Sequence, residues 1–250
     1  MTNSVVVDTQ PGDSNLPTSE RVLTTAAALF RRKGYAASTT RELAELLGIR
    51  KASLYHHIEG KEEILYQICV ASLTRIIQGS SQLLRSLTSE EDLRAVIRWH
   101  VIEVAGTQDF HAVMLTEMKG LTAQHLTEVV AMRDHYQELI RAAIATCQSQ
   151  GILRNDVSPK YLMLCLLNLL NWTIFWFNPG GELSAEELGN LLVSIFVEGA
   201  SQSARRSEGD LPVGTLSAAL APASGAQKAA GGASQKGRKP RGNPKSVEST

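Results

Sequence analysis

Helical patterning covers this chain from residue 19 to about residue 200, and no other feature restricts its fold as strongly. Valine and isoleucine are scattered through this segment rather than alternating, so the pattern predicts no β-strand. Thr39 with Glu42 and Ser184 with Glu187 have the three-residue spacing of a capping box, in which a hydroxyl and a carboxylate each bond the other residue's backbone N–H. The sequence therefore predicts an all-α protein.

Caps, glycine stops and apolar spacings divide this segment into nine helices. Thr88 with Glu91 has the spacing of a third capping box, and Ser158 precedes Pro159, which is favoured at the first position of a helix. The predicted helices span residues 19–33, 39–48, 50–57, 61–78, 90–106, 109–119, 122–150, 159–177 and 184–199.

The net charge of zero conceals an uneven distribution of charge. Residues 1–18 carry −2, residues 19–63 carry +2, residues 64–200 carry −5 and residues 201–250 carry +5. Basic segments on either side of an acidic middle favour a polyanionic partner near the ends of the chain.

We expect residues 1–18 to form a flexible arm. Residues 201–250 have too few apolar side chains to offset the entropy of ordering, so they are predicted to be a disordered basic tail, either solvated or in weak contact with DNA.

Several functional classes lack their characteristic residues. Cys69, Cys147 and Cys165 are widely separated and odd in number, so neither a disulfide framework nor a zinc site is predicted. The N-terminus does not resemble a signal peptide, and we expect a cytoplasmic protein. The sequence contains no HExxH, no GxSxG and no phosphate-binding glycine loop, and no glutamate is followed three residues later by histidine. We therefore expect no catalytic residue, no metal site and no cofactor.

A unit of two short helices at residues 39–57 carries the functional signal. Gly48 makes a tight turn that sets the two helices at a steep angle, so that the second can enter a DNA major groove. Leu54 and Ile58, four residues apart, form the inward side of the second helix. Lys51, Ser53, Tyr55 and His57 can point outward. Because glycine turns also join short helices in other helical proteins, this pattern alone leaves a protein that does not bind DNA as an alternative.

Residues 20–65 taken together resemble the DNA-binding domain of the tetracycline-repressor (TetR) family. The matching motifs are Ala27…Phe30…Gly34-Tyr35, Thr39-Thr40, Leu43-Ala44, Leu47-Gly48-Ile49, Leu54-Tyr55-His56-His57 and Lys61-Glu62. The resemblance implies a three-helix helix-turn-helix domain at residues 19–65 and a six-helix domain for effector binding and dimerisation at residues 66–200. It also implies a transcriptional regulator that binds a double-stranded DNA operator.

The matching positions imply DNA contacts of several kinds. Phosphate contacts are implied for Thr40, Arg50 and Lys61, a phosphate or base contact for Arg41, base-edge contacts for Lys51, Ala52 and Ser53, and sugar-phosphate contacts for Tyr55 and His57. Lys61 begins a helix, whose N-terminal dipole also favours a phosphate. Arg50 stands where the family often has a small polar residue, so we expect a weak helix cap there.

The helix at residues 159–177 is apolar almost all round, so a membrane span has to be considered. Asn168 and Asn171 lie within it, and a proline-glycine turn ends it, which favours burial between a core and a dimer interface. In the TetR family the last two helices of each subunit form a four-helix dimer interface. The resemblance therefore implies a homodimer joined by residues 159–177 and 184–199, with no membrane partner.

The body contains many apolar side chains and few charges, which suits a hydrophobic effector. Candidate ligand-binding residues are Trp99, Glu103, Met114, Asn168, Trp172 and Phe175, although packing and solvated charge would also explain each of them. The end of the body, LLNWTIFWFNPGGELSAEEL, resembles that of TetR regulators that sense acyl-coenzyme A (acyl-CoA) thioesters. The coenzyme A would need cations, for which Arg94, Arg98, Arg133 and Arg141 are available.

We expect a homodimeric repressor released from a palindromic operator by a hydrophobic molecule. An activator, or a DNA-binding protein without an effector, is the alternative.

Overall fold

The computed structural model describes residues 18–55 and 58–201. Its helices are α1 (Thr18–Lys33), α2 (Thr40–Leu47), α3 (Lys51–Leu54), α4 (Lys61–Arg85), α5 (Glu90–Gly106), α6 (Gln108–Glu117), α7 (Ala123–Ser149), α8 (Pro159–Asn171), α9 (Thr173–Trp176) and α10 (Ala185–Ala200), with a 3-10 turn at Met118–Gly120. Apart from one isolated antiparallel bridge between Leu153 and Ser201, the described residues are helix, turn or loop. The predicted all-α class is confirmed. The predicted arm (apart from Thr18), nearly all of the predicted tail, and His57 lie outside the described residues.

The described helices share an apolar core with two connected parts. The first part is built on α1–α4 and includes Val113 and Met114 from α6 and Val129 from α7. The second part fills the space between the end of α4 and helices α5, α7, α8 and α10. Ile77 and Leu115 pack against both parts. Because interiors pack closely, a shift of α6 or α4 in one part must be accommodated by the other.

Helix α4 is longer than its pattern predicts, since it ends at Arg85 rather than at residue 78. Gly79 does not end it, because the ring of Trp99 from α5 packs where a side chain at this position would lie. The hydroxyls of Ser80 and Ser81 donate to carbonyls of the preceding turn of α4, so these polar side chains are satisfied inside the helix. The prediction of an end near residue 78 was therefore wrong.

The predicted helix at residues 159–177 is divided at Trp172 into α8 and the single turn α9. Just beyond the break, Thr173 Oγ1 donates to the carbonyl oxygen of Leu170 at 2.6 Å. The carbonyl oxygens of Ile174 and Phe177 accept hydrogen bonds from side chains of other helices, so this backbone turns away from a regular helix without losing partners. No helix in the described part of the chain has the length and apolarity that crossing a membrane requires.

Two smaller predictions about helix ends were also wrong. The capping box of α5 is formed by Ser89 and Asp92, one residue after the predicted pair of Thr88 and Glu91. The carboxylate of Asp92 also accepts from the backbone N–H of Thr88 at 2.9 Å, so one side chain satisfies two donors. Helix α3 covers only Lys51–Leu54 within the predicted residues 50–57, and Arg50 makes no side-chain cap bond.

Candidate DNA-binding surface and effector site

Local hydrogen bonds fix the start and the end of the second helix. Thr39 and Glu42 form the predicted capping box at the start of α2, and Lys33 of α1 makes an ion pair with Glu42. Gly48 has φ 67°, in the left-handed region, where its N–H and that of Ile49 reach the last carbonyls of α2. This closing turn ends α2, and α3 begins three residues later at Lys51.

The inward side of this unit is apolar and its outward side is polar. Leu43, Leu54 and Ile58 are buried, the last two as the sequence predicted. On the outward side the hydroxyls of Thr40 and Tyr55 lie 3.2 Å apart, and Lys51 Nζ lies 5.7 Å from the centre of the Tyr55 ring. The structure thus brings a residue from the start of α2 together with two from the α3 segment.

The other predicted contact residues of this unit are also accessible. Arg41, Arg50 and Ala52 are exposed, and Ser53 is partly exposed. Arg41 makes an ion pair of 3.0 Å with Glu45, one turn along α2. A pair this exposed is held weakly, so the guanidinium can exchange its carboxylate for a phosphate at little cost.

The side chain of Lys61, which was predicted to contact a phosphate, already has partners within the protein. Its ammonium lies 4.2 Å from the centre of the Tyr35 ring and donates to the carbonyl oxygen of Ala36 at 3.4 Å. Burial lowers the pKa of Lys61, while Glu117 and Glu42 act in the opposite direction. Gly120 approaches the same ring so closely that a Cβ there would lie 2.6 Å from it. Lys61, Tyr35 and Gly120 therefore link the loop after α1 to the start of α4 and to the 3-10 turn, which the sequence did not reveal.

The predicted ligand-binding residues do not converge on one cavity. Met114 is buried among residues of the first core part, and Trp99 packs against Gly79. Asn168, Trp172 and Phe175 are exposed on the outer side of α8 and α9, with 65% of Trp172 and 58% of Phe175 accessible. A helix that is apolar all round does not indicate which side faces the core, so the sequence could not place these side chains relative to one another.

Helices α8–α10 instead present an apolar face. Of the ten exposed large hydrophobic side chains among the described residues, seven lie here. We call this surface the apolar face: Tyr161, Leu164, Trp172, Phe175, Trp176, Leu191 and Ile195. An exposed apolar patch of this kind is typical of an interaction surface.

Five polar side chains meet inside the body, one from each of α4 to α8: Ser72, His100, His111, Tyr136 and Asn171. His100 Nδ1 lies 2.7 Å from the hydroxyl of Tyr136, and His111 Nε2 lies 3.1 Å from Asn171 Oδ1. Burial, together with the neighbouring His111, lowers the pKa of His100 to about 3, and burial lowers that of His111 to about 4. Both imidazoles are neutral at neutral pH. The contributing residues are spread over 100 positions of sequence, so the periodicity of single helices does not reveal the cluster.

The predicted cations for coenzyme A are all paired with carboxylates: Arg94 with Glu90, Arg98 with Glu91, Arg133 with Asp134 and Arg141 with Glu138. Each pair is local, within one or two turns of one helix. None of these four arginines lines the groove between α4 and α7 or the one between α1 and α6.

Two polar links join the first helices to the body. Arg31 of α1 bonds Asp109 of α6 at 2.8 Å and the carbonyl oxygen of Ile174 in α9 at 3.0 Å. Glu62 of α4 accepts from the N–H of Thr122 at 2.7 Å and lies 3.0 Å from His125 Nδ1. Glu62, Glu63 and His125 also have donor atoms within 4.8 Å of one another, close enough to share a cation. In the structure Glu62 and His125 bond each other and tie the start of α4 to that of α7.

Comparison with known proteins identifies the family. Residues 22–68 match the family described as "Bacterial regulatory proteins, tetR family", and residues 86–200 match "Tetracyclin repressor-like, C-terminal domain". The TetR-family transcriptional regulator PfmR from Thermus thermophilus is 34% identical, with a TM-score of 0.67 over 71% of this chain and 97% of that one. The chain belongs to the TetR family. As a TetR-family protein it is a transcriptional regulator with a helix-turn-helix DNA-binding domain.

Two further similar proteins have names that state what they do or bind. The transcriptional repressor KstR2 of Rhodococcus jostii is 25% identical over 180 residues, which cover 71% of this chain and 88% of KstR2. AibR, whose structure was solved in complex with isovaleryl coenzyme A and operator DNA, is 27% identical, with a TM-score of 0.64 over 71% of this chain and 96% of that one.

Proposed function

We propose that this TetR-family protein is a homodimeric repressor, released from a palindromic operator by a hydrophobic effector of the acyl-CoA class. The observation that carries the proposal is the α2–Gly48–α3 unit, with its buried inward leucines and its outward Thr40, Lys51 and Tyr55. In this proposal residues 19–65 bind DNA, residues 66–200 dimerise and bind the effector, and residues 1–18 and 201–250 are accessory.

The proposed DNA contacts divide into those that position the protein and those that read sequence. Lys51, Ala52 and Ser53 at the start of α3 approach base edges in the major groove. The positioning contacts come from both ends of the unit and bind phosphates and sugars: Thr40, Arg41, Arg50, Tyr55, His57 and Lys61. Lys61 would release the carbonyl of Ala36 for a phosphate while its ammonium stays close to Tyr35.

Dimerisation through the apolar face supplies the second DNA-binding unit. Tyr161, Leu164 and Trp172 lie at spacings of three and eight residues, so they form one stripe along α8, and Leu191 and Ile195 form a second stripe on α10. Burying these side chains against the same face of a second copy removes them from water, at about 25 cal/mol per Å² of apolar surface. The interface is then isologous and places the two heads for successive major grooves, about 34–36 Å apart.

Charge substitutions on this face test the dimer without disturbing the core of the monomer. Leu191→Glu with Ile195→Glu should give a folded monomer with unchanged helical circular dichroism, because both side chains are exposed in the single chain. Sedimentation measures the oligomeric state. The matched control is Ile102→Glu, an exposed isoleucine of α5 outside the face, which should leave a dimer. A double variant that sediments as a dimer would contradict the proposed interface.

The operator test uses palindromic duplexes selected from random sequence by the wild-type protein. Wild type and the Ile102→Glu control should bind the selected duplex, while the monomeric variant should lose at least about a hundredfold in affinity, because only one head can engage at a time. A monomer that binds the full palindrome as tightly as wild type would contradict the homodimeric mechanism.

The effector class rests on the apolar body and on the relationship to AibR, which was crystallised with isovaleryl coenzyme A. Release requires that the effector bind the DNA-free conformation more tightly than the DNA-bound one. Titrating the protein–operator complex with acyl-CoA thioesters of increasing chain length, and following fluorescence anisotropy, should show release. Release by small polar metabolites and by no acyl-CoA would contradict this part of the proposal.

A further inference from the structure

Two helices bring three metal-ligating side chains together at the start of α4. Glu62 and Glu63 lie in the first turn of α4, and His125 lies in the first turn of α7. Their donor atoms are all within 4.8 Å of one another, although His125 is 63 positions from Glu62 in the sequence. We call these three residues the trio. The expectation of no metal site rested on short motifs, and no short motif spans such a separation.

The two carboxylates of the trio are oriented by groups outside it. The backbone N–H of Thr122 donates to Glu62 Oε1 at 2.7 Å, and the side-chain amide of Gln67 donates to Glu63 Oε1 at 2.7 Å. Each carboxylate thus keeps one further oxygen for another partner. Outer hydrogen bonds of this kind orient the ligands of metal ions in proteins.

The imidazole of the trio is held by an aromatic neighbour. The rings of Tyr66 and His125 are stacked, with 3.9 Å between their centroids and 11° between their planes. In this orientation His125 Nδ1 lies 3.0 Å from each of the two carboxylate oxygens of Glu62. Donor atoms that share one zinc ion at about 2.0–2.2 Å lie at most about 4.4 Å apart. A small rotation of one side chain therefore closes the trio on an ion.

The charge around the trio supplies an independent reason for a cation. Among the described residues, no lysine or arginine pairs with Glu62, with Glu63 or with Glu128, which lies one turn after His125 on α7. Glu62 and His125 are largely covered, with 27% and 22% of their side chains exposed. Carboxylates that are partly withdrawn from water need a compensating positive charge, and His125 can supply at most one. A divalent ion supplies the charge that is missing.

The donor set selects the kind of ion. Two carboxylate oxygens with one imidazole nitrogen, and no thiolate, suit zinc and related first-row divalent ions. Calcium and magnesium take oxygen ligands, so the imidazole disfavours them. Zinc bound by three protein ligands keeps a water molecule in its fourth position, which the partial exposure of the trio permits.

We propose that Glu62, Glu63 and His125 form a binding site for a divalent transition-metal ion, with Zn²⁺ preferred over Mn²⁺. Each carboxylate supplies one oxygen and His125 supplies Nδ1, so the proton of the neutral imidazole resides on Nε2 in the bound state. The ion replaces the hydrogen bond between Glu62 and His125 as the link between α4 and α7. Because the unfolded chain holds no such arrangement, binding stabilises the folded protein. The inference goes beyond the proposed function and does not depend on it.

Isothermal titration calorimetry of the full chain, without a polyhistidine tag, tests the site with Zn²⁺ and with Mn²⁺. Wild type should bind one Zn²⁺ per chain more tightly than Mn²⁺, and Zn²⁺ should raise its melting temperature. His125→Phe keeps a ring against Tyr66 but removes the nitrogen, and it should weaken Zn²⁺ binding by about a hundredfold or more. Glu63→Gln keeps an acceptor for Gln67 and should weaken binding by about tenfold or more.

Glu128→Gln is the matched control, because it removes the same charge beside the site without removing a member of the trio. Its amide oxygen can still accept from the hydroxyl of Tyr66, so the ring that supports His125 stays in place. Zn²⁺ should bind this variant within about threefold of wild type. Circular dichroism without metal verifies that each variant folds, and Glu63→Gln decides alone if His125→Phe does not.

Three results would overturn the site. Wild type that binds no Zn²⁺ has no such site. Equal binding by Glu63→Gln and wild type would place the ion elsewhere in the chain. A loss in Glu128→Gln as large as that in Glu63→Gln would mean that the ion is attracted by the acidic surface and not ligated by the trio.

Discussion

Adding one methyl group at Gly79 should measure how closely α4 and α5 approach. A Cβ at this position would lie 2.1 Å from Trp99 Cζ2 and 2.8 Å from Cη2, whereas carbon atoms in ordinary contact are about 3.5–4.0 Å apart. Either the indole or the helix must therefore move by more than about 1 Å. Overpacking of this kind costs about 1–3 kcal/mol, while alanine gains about 1 kcal/mol in helix propensity over glycine. We expect Gly79→Ala to lower the free energy of unfolding by about 1 kcal/mol.

Urea denaturation followed by circular dichroism, at one fixed protein concentration, measures this change. Gly106→Ala is the matched control, because no atom lies within 4 Å of the added Cβ at the end of α5, and it should be neutral or slightly stabilising. In a Trp99→Leu background the cost of Gly79→Ala should disappear, giving a coupling energy of about 1 kcal/mol or more. If Gly79→Ala is at least as stable as wild type and shows no coupling to Trp99, the packing role assigned to this tryptophan is wrong.

Three further predictions concern stability. Gly48→Ala should cost about 1–2 kcal/mol, because φ is 67° there and no neighbouring atom obstructs the methyl group, so a larger loss in urea denaturation would point to a clash instead. The pKa values of His100 and His111 fall from 6.5 to about 3 and about 4 on folding, so the unfolded chain binds more protons in acid. The contribution of these two neutral histidines to the free energy of unfolding is therefore complete above about pH 6.5 and declines towards pH 4, by up to about 2 kcal/mol per histidine at about pH 5. Urea midpoints measured across this range should show the decline. The variant His111→Asn should flatten it. Leu170→Asp should abolish folding rather than dissociate a folded dimer, because Leu170 is buried within the single chain, and a folded monomer in circular dichroism and sedimentation would contradict its place in the core.

Local signals in the sequence predicted local structure well. The boxes of Thr39 with Glu42 and of Ser184 with Glu187 were confirmed, since a capping box depends only on residues within one turn. Gly48 likewise adopts the left-handed conformation that ends α2. Sites that depend on the relative placement of distant helices were not predictable in this way.

The candidate effector residues illustrate this limit. Trp172 and Phe175 are aromatic side chains of the kind that line apolar pockets. Their exposure to solvent is determined by the packing of α8 against α7 and α5, which no local sequence signal indicates. The predicted end of α4 near residue 78 was wrong for the same reason, because nothing local indicates that the indole of α5 will pack against Gly79. The cluster of His100 with Tyr136 depends in the same way on long-range contacts.

The most direct test of the account is whether the α3 segment reads DNA sequence. The measurement is fluorescence anisotropy of wild type, Lys51→Ala and Lys61→Ala on the selected palindrome and on a scrambled duplex, at several salt concentrations. Lys51→Ala should weaken operator binding by about 1–3 kcal/mol in each half-site and bring it closer to binding of the scrambled duplex. Lys61→Ala should weaken binding to both duplexes alike and flatten the dependence on salt. Binding of both variants at wild-type strength across all salt concentrations would contradict the assignment of α3 and the start of α4 to the DNA interface.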